Sequence, residues 1–211
     1  MDKSTPYSIS PYGPDHWLLQ LESSADYTFL LKIHQHTSEI VLESVLGYDS
    51  LLLKTCPNTS SDEVLDHIQG AKSPKDSELD PRLHRIPVRY DGPDLEEVAS
   101  LIGLSEEQVV KLHSDALYTV RFLGFSPGFA YLDGLAPELH LARRKVPRTK
   151  MATGAVAVGG SHAGIYTIPS PGGWNWLGHT DHPLFDPSLN GTDAFTLQPG
   201  DTLKFIPTLE S

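Results

Sequence analysis

The order of apolar and polar residues predicts strands and helices in the first third of the chain. An apolar run at Trp17–Leu21 predicts a strand, and apolar residues at helical spacing predict a helix over Asp26–His36. The runs Ile40–Val45 and Ser50–Thr55 flank a glycine-containing turn, which predicts a hairpin. A short helix capped by Ser61 is expected up to Gly70, because Glu63 stands early in it and the glycine ends it. These elements predict a small N-terminal α/β domain.

A polar stretch at Ala71–Leu83 marks the boundary of this first domain. It contains two prolines and shows no hydrophobic periodicity, which is typical of a linker. We therefore predict two domains, at residues 1–80 and 81–211.

The second domain begins with a predicted strand at His84–Tyr90 and continues with two helices. Asp94 is placed to cap the first helix, and Ser105 followed by two glutamates begins the second. From Leu117 onward, short apolar runs alternate with glycine and proline turns, as in a barrel or sandwich. The whole chain is therefore predicted to be α+β, with the small α/β domain followed by a β-rich domain.

Glycine and aromatic residues are concentrated in the second domain. Ten of the 17 glycines lie between Arg121 and Thr180. Glycine loses much chain entropy on folding, so this density indicates close backbone approaches or positive φ angles. Aromatic residues stand beside these glycines and can form the walls of a concave site: Phe125, Phe129, Tyr131, Trp174 and Trp176. The pattern predicts a rigid, loop-built cleft that binds a small molecule.

Charge and composition exclude several partners. The formal net charge of −11 argues against nucleic acid or an anionic membrane. No apolar run reaches the length of a membrane span, and the first residues lack the pattern of a secretory signal. The single cysteine, Cys56, cannot form an internal disulfide. We expect a cytoplasmic protein, with disorder confined to Met1–Pro14.

A basic cluster and a glycine turn are candidates for anion binding, each with a plainer alternative. Five cations lie within eight residues, between Arg143 and Lys150, and arginine suits carboxylate or phosphate. Spacing alone slightly favours a solvated or salt-bridged surface. In Ser170–Trp174, consecutive glycines can point two N–H groups at one oxyanion, although a tight turn between strands needs the same residues.

Two histidines are candidate acid–base groups, His113 and His179, because histidine titrates near neutrality. A hydrogen-bonded structural role is the alternative, and it is favoured for His113. The histidine pairs lack the partners of a metal signature, so no transition metal is predicted. The sequence also lacks a phosphate-binding loop of the Gly-x-x-x-x-Gly-Lys type.

Several segments between about Arg85 and Pro207 resemble the family of the B component of bacterial 5-oxoprolinase. The same family is also called allophanate hydrolase subunit 1 and includes Kip-type kinase inhibitors. Together the motifs are specific, although each alone is weak. They are Leu112-His113-Ser114, Phe122–Phe129, Arg143–Arg148, Gly159-Gly160, Ser170–Trp174, Leu177–Thr180 and Leu184–Pro187.

The resemblance implies a cyclophilin-like β-barrel in the second domain and a role in ATP-dependent opening of a cyclic amide. It implies a larger homologous partner, called the C component or allophanate hydrolase subunit 2, and ATP used together with that partner. It also places the aromatic loops near the partner boundary. The implied catalytic residues are His113 and His179. The implied substrate-binding residues are Phe125, Pro127, Gly128, Arg143, Arg148, Tyr166, Ser170, Gly172, Gly173 and Trp174.

The chain departs from the family pattern in loops expected to face the substrate. Ala130 stands where the family has a proline, and Met151–Val156 lacks a proline and a hydroxyl that are usual there. Two other functions stay open, the first because of these departures and the second because the family includes Kip-type kinase inhibitors. One is a stand-alone biosynthetic catalyst that acts without partner or ATP, and the other is a regulatory inhibitor of a histidine kinase.

Overall fold

The computed structural model describes residues 7–23, 27–36, 38–71 and 81–208. The chain divides into two compact units, Met1–Asp80 and Pro81–Ser211.

The first unit is a four-stranded antiparallel sheet with two helices. The strand order is β1-β2-β4-β3. Strand β4 alternates buried and half-buried residues, so one face of the sheet is turned to the core, where helix α1 packs. The elements are β1 Tyr7–Pro11, β2 His16–Leu21, α1 Tyr27–Gln35, β3 Val41–Leu46, β4 Ser50–Thr55 and α2 Ser61–Gly70.

The predicted strand, helices and hairpin of this unit are confirmed, with two corrections. Strand β1 lies in the stretch where disorder was expected, and it pairs with β2 from Tyr7 opposite Leu21. Helix α2 is capped by Ser60, not by Ser61, through a reciprocal capping box with Glu63. Most of the expected linker, Ala71–Leu83, falls outside the described residues.

The second unit is a seven-stranded, nearly closed barrel. The strand order is β12-β9-β10-β7-β6-β13-β5, and only β13 and β5 among them run parallel. Its strands are β5 Leu83–Val88, β6 Tyr118–Leu123, β7 Ala130–Asp133, β9 Ala155–Gly159, β10 His162–Ile165, β12 Asn175–His179 and β13 Thr202–Pro207. Arg89 and His179 exchange backbone hydrogen bonds of 2.9 and 2.7 Å, which joins the two edges of the sheet. The predicted α+β class with a barrel-like second unit is confirmed.

Additional elements cover the barrel and extend its rim. Helices α3 Leu95–Ile102 and α4 Glu106–Asp115 pack on each other and against β12 and β13 respectively. Strands β8 Arg148–Met151 and β11 Ser170–Gly172 form a separate two-stranded sheet. Among the described residues, no helix combines the length and apolar character that crossing a membrane requires.

Strand β9 is buried on both faces, and this arrangement creates the candidate site. Val156 and Val158 point into the barrel core. Ala155 and Ala157 point to the other face, because successive side chains of a strand alternate. There they meet a second apolar cluster, which we call the outer cluster: Phe129, Met151, Ala155, Ala157, Tyr166 and Trp174, with Tyr131 and Trp176 at its edge.

Candidate functional site

Tyr166 is the point around which the predicted substrate-binding residues gather. Its buried ring contacts Phe125 and Phe129 edge-on, at centroid distances of 6.0 and 5.1 Å. The Trp174 backbone hydrogen-bonds to the Tyr166 hydroxyl. A Cβ atom at Gly172 would overlap that hydroxyl, so only glycine allows this approach. Burial raises the pKa of Tyr166, and the nearby Arg143 charge partly offsets the rise.

A cleft of about 290 Å³ opens beside Tyr166 and also contains His179. His179 is placed there by the strand pairing that closes the barrel, since it ends β12 opposite Arg89. Its Nε2 lies 3.0 Å from Oδ1 of Asp181, whose side chain is 85% exposed. The other lining residues are Thr153, Gly154, Thr167, Thr180 and His182–Phe185. The structure thus brings one predicted catalytic residue and one predicted binding residue together.

The turn that carries Phe125, Pro127 and Gly128 borders the same region. Thr167, in the cleft wall, donates a 2.5 Å hydrogen bond to the Pro127 carbonyl. Phe125 has a φ of +66° and is 61% exposed. A bulky residue in this conformation is strained, and such strain is concentrated at binding sites. Phe125 is therefore an exposed aromatic group held beside Tyr166, whereas Phe129 is buried in the outer cluster.

Arg143 lies over the ring of Trp174. Its guanidinium carbon is 5.9 Å from the Trp174 ring centroid, within the range of a cation–π contact. A Cβ added at the neighbouring Gly173 would make only ordinary van der Waals contacts, 3.7 Å from the Arg144 carbonyl oxygen and 3.8 Å from the Arg143 Cβ. Arg143 is exposed, and none of the carboxylates in the described ranges forms an ion pair with it. Its guanidinium is consequently available to an anionic ligand.

Arg148, the other predicted anion ligand, is already paired. Its two terminal nitrogens donate to both oxygens of Asp94 at 2.7 and 2.6 Å. Asp94 is 1% exposed and also accepts from Arg144 and from the Trp176 backbone, each at 2.7 Å. Arg148 therefore does not present its fork to the cleft. Asp94 stands at the N-cap position of α3, but its side chain makes no cap bond, so the predicted helix cap is wrong.

His113 is not brought to the other predicted residues. It is fully buried in the barrel core, where its ring stacks on Phe205 at 4.5 Å and its Nδ1 lies 2.8 Å from the Tyr90 hydroxyl. Burial lowers the pKa of His113 to about 3. A neutral, enclosed imidazole of this kind has no path to a substrate in the cleft.

Ser170 lies at the rim, in the two-stranded sheet, opposite Met151. Its hydroxyl is buried and has no hydrogen-bond partner within the described portion of the chain. In the same portion, no group of three His, Cys, Asp or Glu side chains is arranged to hold a metal ion.

A charged trio on the outer face of the barrel was not predicted from the sequence. It consists of Arg121, Asp133 and His162, which come from three strands. None of these residues stands in a recognisable motif, and strand pairing alone brings them together. Asp94 joins α3, β12 and the loop of Arg144. From the sequence it was predicted only to cap a helix, because its distant partners stand in no recognisable motif with it.

A family model for the carboxyltransferase domain, subdomain C and D, matches residues 7–195. The chain belongs to this family, and the match crosses both units. Within the family, the chain is 39% identical to the 5-oxoprolinase B component of Escherichia coli O157:H7. The alignment extends over 175 residues, which is 81% of this chain and 79% of the relative. The resemblance inferred from the motifs is confirmed.

Solved structures agree on the fold. TTHA0988 superposes with a TM-score of 0.81 at 36% identity, covering 93% of this chain and 40% of that one. The chain therefore spans about two fifths of that larger protein. Urea carboxylase of Kluyveromyces lactis superposes with a TM-score of 0.70 at 17% identity, covering 99% of this chain and 22% of that one. This second likeness concerns the fold alone.

Proposed function

We propose that this chain is the B component of an ATP-dependent 5-oxoprolinase. In this proposal it opens the cyclic amide of 5-oxoproline to glutamate together with a larger homologous subunit. The observation that carries the proposal is the exposed guanidinium of Arg143, which forms no ion pair with a carboxylate of the described residues and lies beside Gly173 and the ring of Trp174. The similarity to the 5-oxoprolinase B component supports 5-oxoproline, through its carboxylate, as the anion bound there.

The chemistry of 5-oxoproline suits this arrangement, since the molecule joins a carboxylate to a small five-membered ring. Arg143 binds the carboxylate by charge-assisted hydrogen bonds. The exposed Phe125 packs against the ring. The backbone at Gly172–Gly173 faces negative charge that develops on the amide oxygen. Arg148 acts indirectly, because its pair with Asp94 holds the basic loop on the barrel.

ATP fits the described residues only in part. Arg144 and Arg148 are both engaged by Asp94, and Arg143 is assigned to the carboxylate, which leaves the exposed Lys145 and Lys150 for phosphate contacts. We therefore assign most of the nucleotide site to the larger subunit. The nucleotide would supply the free energy for ring opening, whereas this chain binds and orients the cyclic amide.

The test is reconstitution of activity from two purified subunits. Mixing this chain with a larger subunit of the family should give ATP-dependent hydrolysis of 5-oxoproline that neither protein shows alone. Arg143→Ala should weaken 5-oxoproline binding roughly tenfold or more, because one charge-assisted contact contributes about 1.5–3 kcal/mol. Arg143→Lys should recover only part of the loss, since lysine lacks the planar fork.

Arg85→Ala is the matched control, because Arg85 is an exposed arginine on β5 outside the site. It should leave binding and turnover unchanged. Turnover by the isolated chain would contradict the subunit assignment and favour the stand-alone catalyst. Unchanged 5-oxoproline affinity in a folded Arg143→Ala variant would remove Arg143 from the site.

A further inference from the structure

The Asp94 carboxylate binds both segments that form the proposed anion site. One segment is the basic loop Arg143–Arg148, and the other is Gly172–Trp176, which contains the two glycines and Trp174. Asp94 belongs to neither, because it stands directly before helix α3. It is 1% exposed, so its contacts are sheltered from water.

On the basic loop, Asp94 holds two arginines. Arg148 donates from both terminal nitrogens, at 2.7 Å to Oδ2 and at 2.6 Å to Oδ1. Nη1 of Arg144 donates to Oδ1 at 2.7 Å. Hydrogen bonds of this charge-assisted, bidentate kind fix geometry as well as adding free energy. They leave Arg143 out, although it directly precedes Arg144 in the chain.

Asp94 is bonded to the second segment through two hydrogen bonds with Trp176. The Trp176 N–H donates to Oδ2 of Asp94 at 2.7 Å, and the Asp94 N–H donates to the Trp176 carbonyl at 3.1 Å. This reciprocal pair holds the start of α3 against strand β12. Because the same carboxylate also binds the arginines, the loop and the strand are held by one residue.

Arg143 lies between two residues that are bonded to this framework. The Arg144 N–H donates to the Gly173 carbonyl at 2.7 Å. On the other side of Arg143, the Ala142 carbonyl accepts from the side chain of Asn175 at 3.2 Å. The backbone of Arg143 can therefore shift relative to Gly173 only if these bonds break.

Helix capping does not account for this carboxylate. Asp94 stands at the N-cap position of α3, but its side chain makes no cap bond. Burying a charge is unfavourable, and a buried ion pair is weak evidence for stability, because apolar residues of similar volume are often as stable. The exposed Glu97 binds the same nitrogen of Arg144 and is 56% exposed, so water weakens that contact. Of these two carboxylates, only Asp94 can fix the geometry of the loop.

We propose that Asp94 is a positioning residue that holds Arg143 where it binds the carboxylate of the cyclic amide. The inference rests on the function proposed above. Asp94 contacts no reacting atom in this assignment. It acts through Arg144 and Arg148, which keep the loop in place before the ligand arrives. Such preorganisation strengthens binding, since the ligand does not have to order the loop.

A double-mutant cycle in the reconstituted complex tests this inference. Asp94→Asn keeps the size of the side chain but removes the charge that holds the arginines. It should weaken 5-oxoproline binding about three- to tenfold and raise KM by a similar factor. Added to Arg143→Ala, it should cause little further loss, because Asp94 acts through Arg143. A general loss of folded protein would instead lower kcat and leave KM unchanged.

Glu97→Gln is the matched control, since Glu97 binds the same arginine from an exposed position. It should leave the affinity and KM unchanged. Arg148→Gln is the second variant, because it breaks the bidentate pair while Arg144 and the Trp176 N–H stay on the carboxylate. If Asp94→Asn does not fold, Arg148→Gln takes its place in the cycle and should weaken binding in the same way.

Amide hydrogen exchange of this chain gives a measurement that needs no substrate. Release of the loop should speed exchange of the Arg144 N–H roughly tenfold in Asp94→Asn and leave it unchanged in Glu97→Gln. The Val120 N–H, which bonds to the Asp201 carbonyl elsewhere in the barrel, should keep its rate. An equal increase at both amides would indicate general destabilisation and contradict the positioning role.

Additive losses in the cycle, or unchanged affinity in the folded variants, would overturn the inference. A wild-type complex that neither binds nor opens 5-oxoproline would instead contradict the proposed function. Exchange at Arg144 then decides the matter, because a selective increase supports the positioning of the loop by Asp94. An unchanged Arg144 rate in Asp94→Asn would overturn the inference in either case.

Discussion

Three histidines of the second unit show how surroundings decide the role of one residue type. His113 stacks on Phe205 inside the core, and burial keeps it neutral. His179 stands at the seam of the barrel beside an exposed carboxylate. His162 is oriented by a carboxylate that an almost buried arginine holds.

The low pKa of His113, about 3, predicts a specific loss of stability in acid. Its pKa in the unfolded chain is about 6.5, so the unfolded state binds more protons below that pH, and stability falls as pH decreases from there towards 3. Between about pH 7.5 and about pH 5 the loss should be about 2 kcal/mol. The measurement is the free energy of unfolding in urea at both pH values.

His113→Gln is the control for this prediction, because glutamine retains a hydrogen-bonding group towards Tyr90 but does not titrate. Other histidines also have lowered pKa values, among them His67 and His182, so both proteins should lose stability in acid. The wild type should lose about 2 kcal/mol more than the variant. Equal losses would show that His113 is not neutral in the folded state.

Asp94 shows why some residue roles cannot be derived from sequence. A residue just before an apolar helical pattern is normally expected to cap the helix. Here the carboxylate turns away and binds Arg144, Arg148 and the Trp176 backbone, which are between 50 and 82 residues distant along the chain. Four hydrogen bonds offset the cost of burying the charge. Such a choice depends on tertiary neighbours, which local patterning does not contain.

At the scale of elements, strand β9 determines where the outer cluster can form. Its valines fill the barrel, while Ala155, Ala157 and Gly159 leave the other face shallow enough for large rings. Trp174 lies over Gly159, where an added Cβ would stand 2.7 Å from the indole Cγ. The glycine therefore sets how closely the indole, and with it Arg143, approaches the sheet.

Gly159→Ala should consequently destabilise the protein. The added methyl group must displace the Trp174 ring or the strand, and overpacking of this kind costs about 1–3 kcal/mol. The matched control is Gly173→Ala, because the nearest atoms to an added Cβ there are 3.7 Å away and need not move. Urea unfolding of both variants is the measurement. A Gly159→Ala variant as stable as Gly173→Ala would mean that Trp174 does not rest on the strand.

Element prediction from the sequence was accurate where periodicity was strong. Helices α3 and α4 and the hairpin of β3 and β4 lie where apolar spacing placed them. Strand β1 was missed because its serines and proline hide the alternation, and pairing with β2 stabilises it. The site was predictable only in its glycine and aromatic parts. The trio of Arg121, Asp133 and His162 depends on strand register, which isolated residues do not encode.

At the scale of the whole molecule, the chain consists of two units that one family model covers together. The match extends over residues 7–195 and includes strands of the first sheet as well as most of the barrel. All of the residues assigned to the proposed site belong to the unit Pro81–Ser211. If the proposed function holds, binding of the cyclic amide is therefore expected to depend on the second unit.

Limited proteolysis tests whether the two units are separate domains. The stretch Ala71–Leu83 is polar, contains two prolines and offers trypsin the sites Lys72, Lys75 and Arg82, so the first cut is expected there. The cut should release a stable C-terminal fragment that keeps the acid sensitivity of His113, because the surroundings of this histidine lie wholly within the second unit. A variant with both Lys72→Gln and Lys75→Gln should be cut more slowly at this stretch and equally elsewhere. A uniformly resistant chain, or a first cut between Leu117 and Pro207, would contradict the division into two domains.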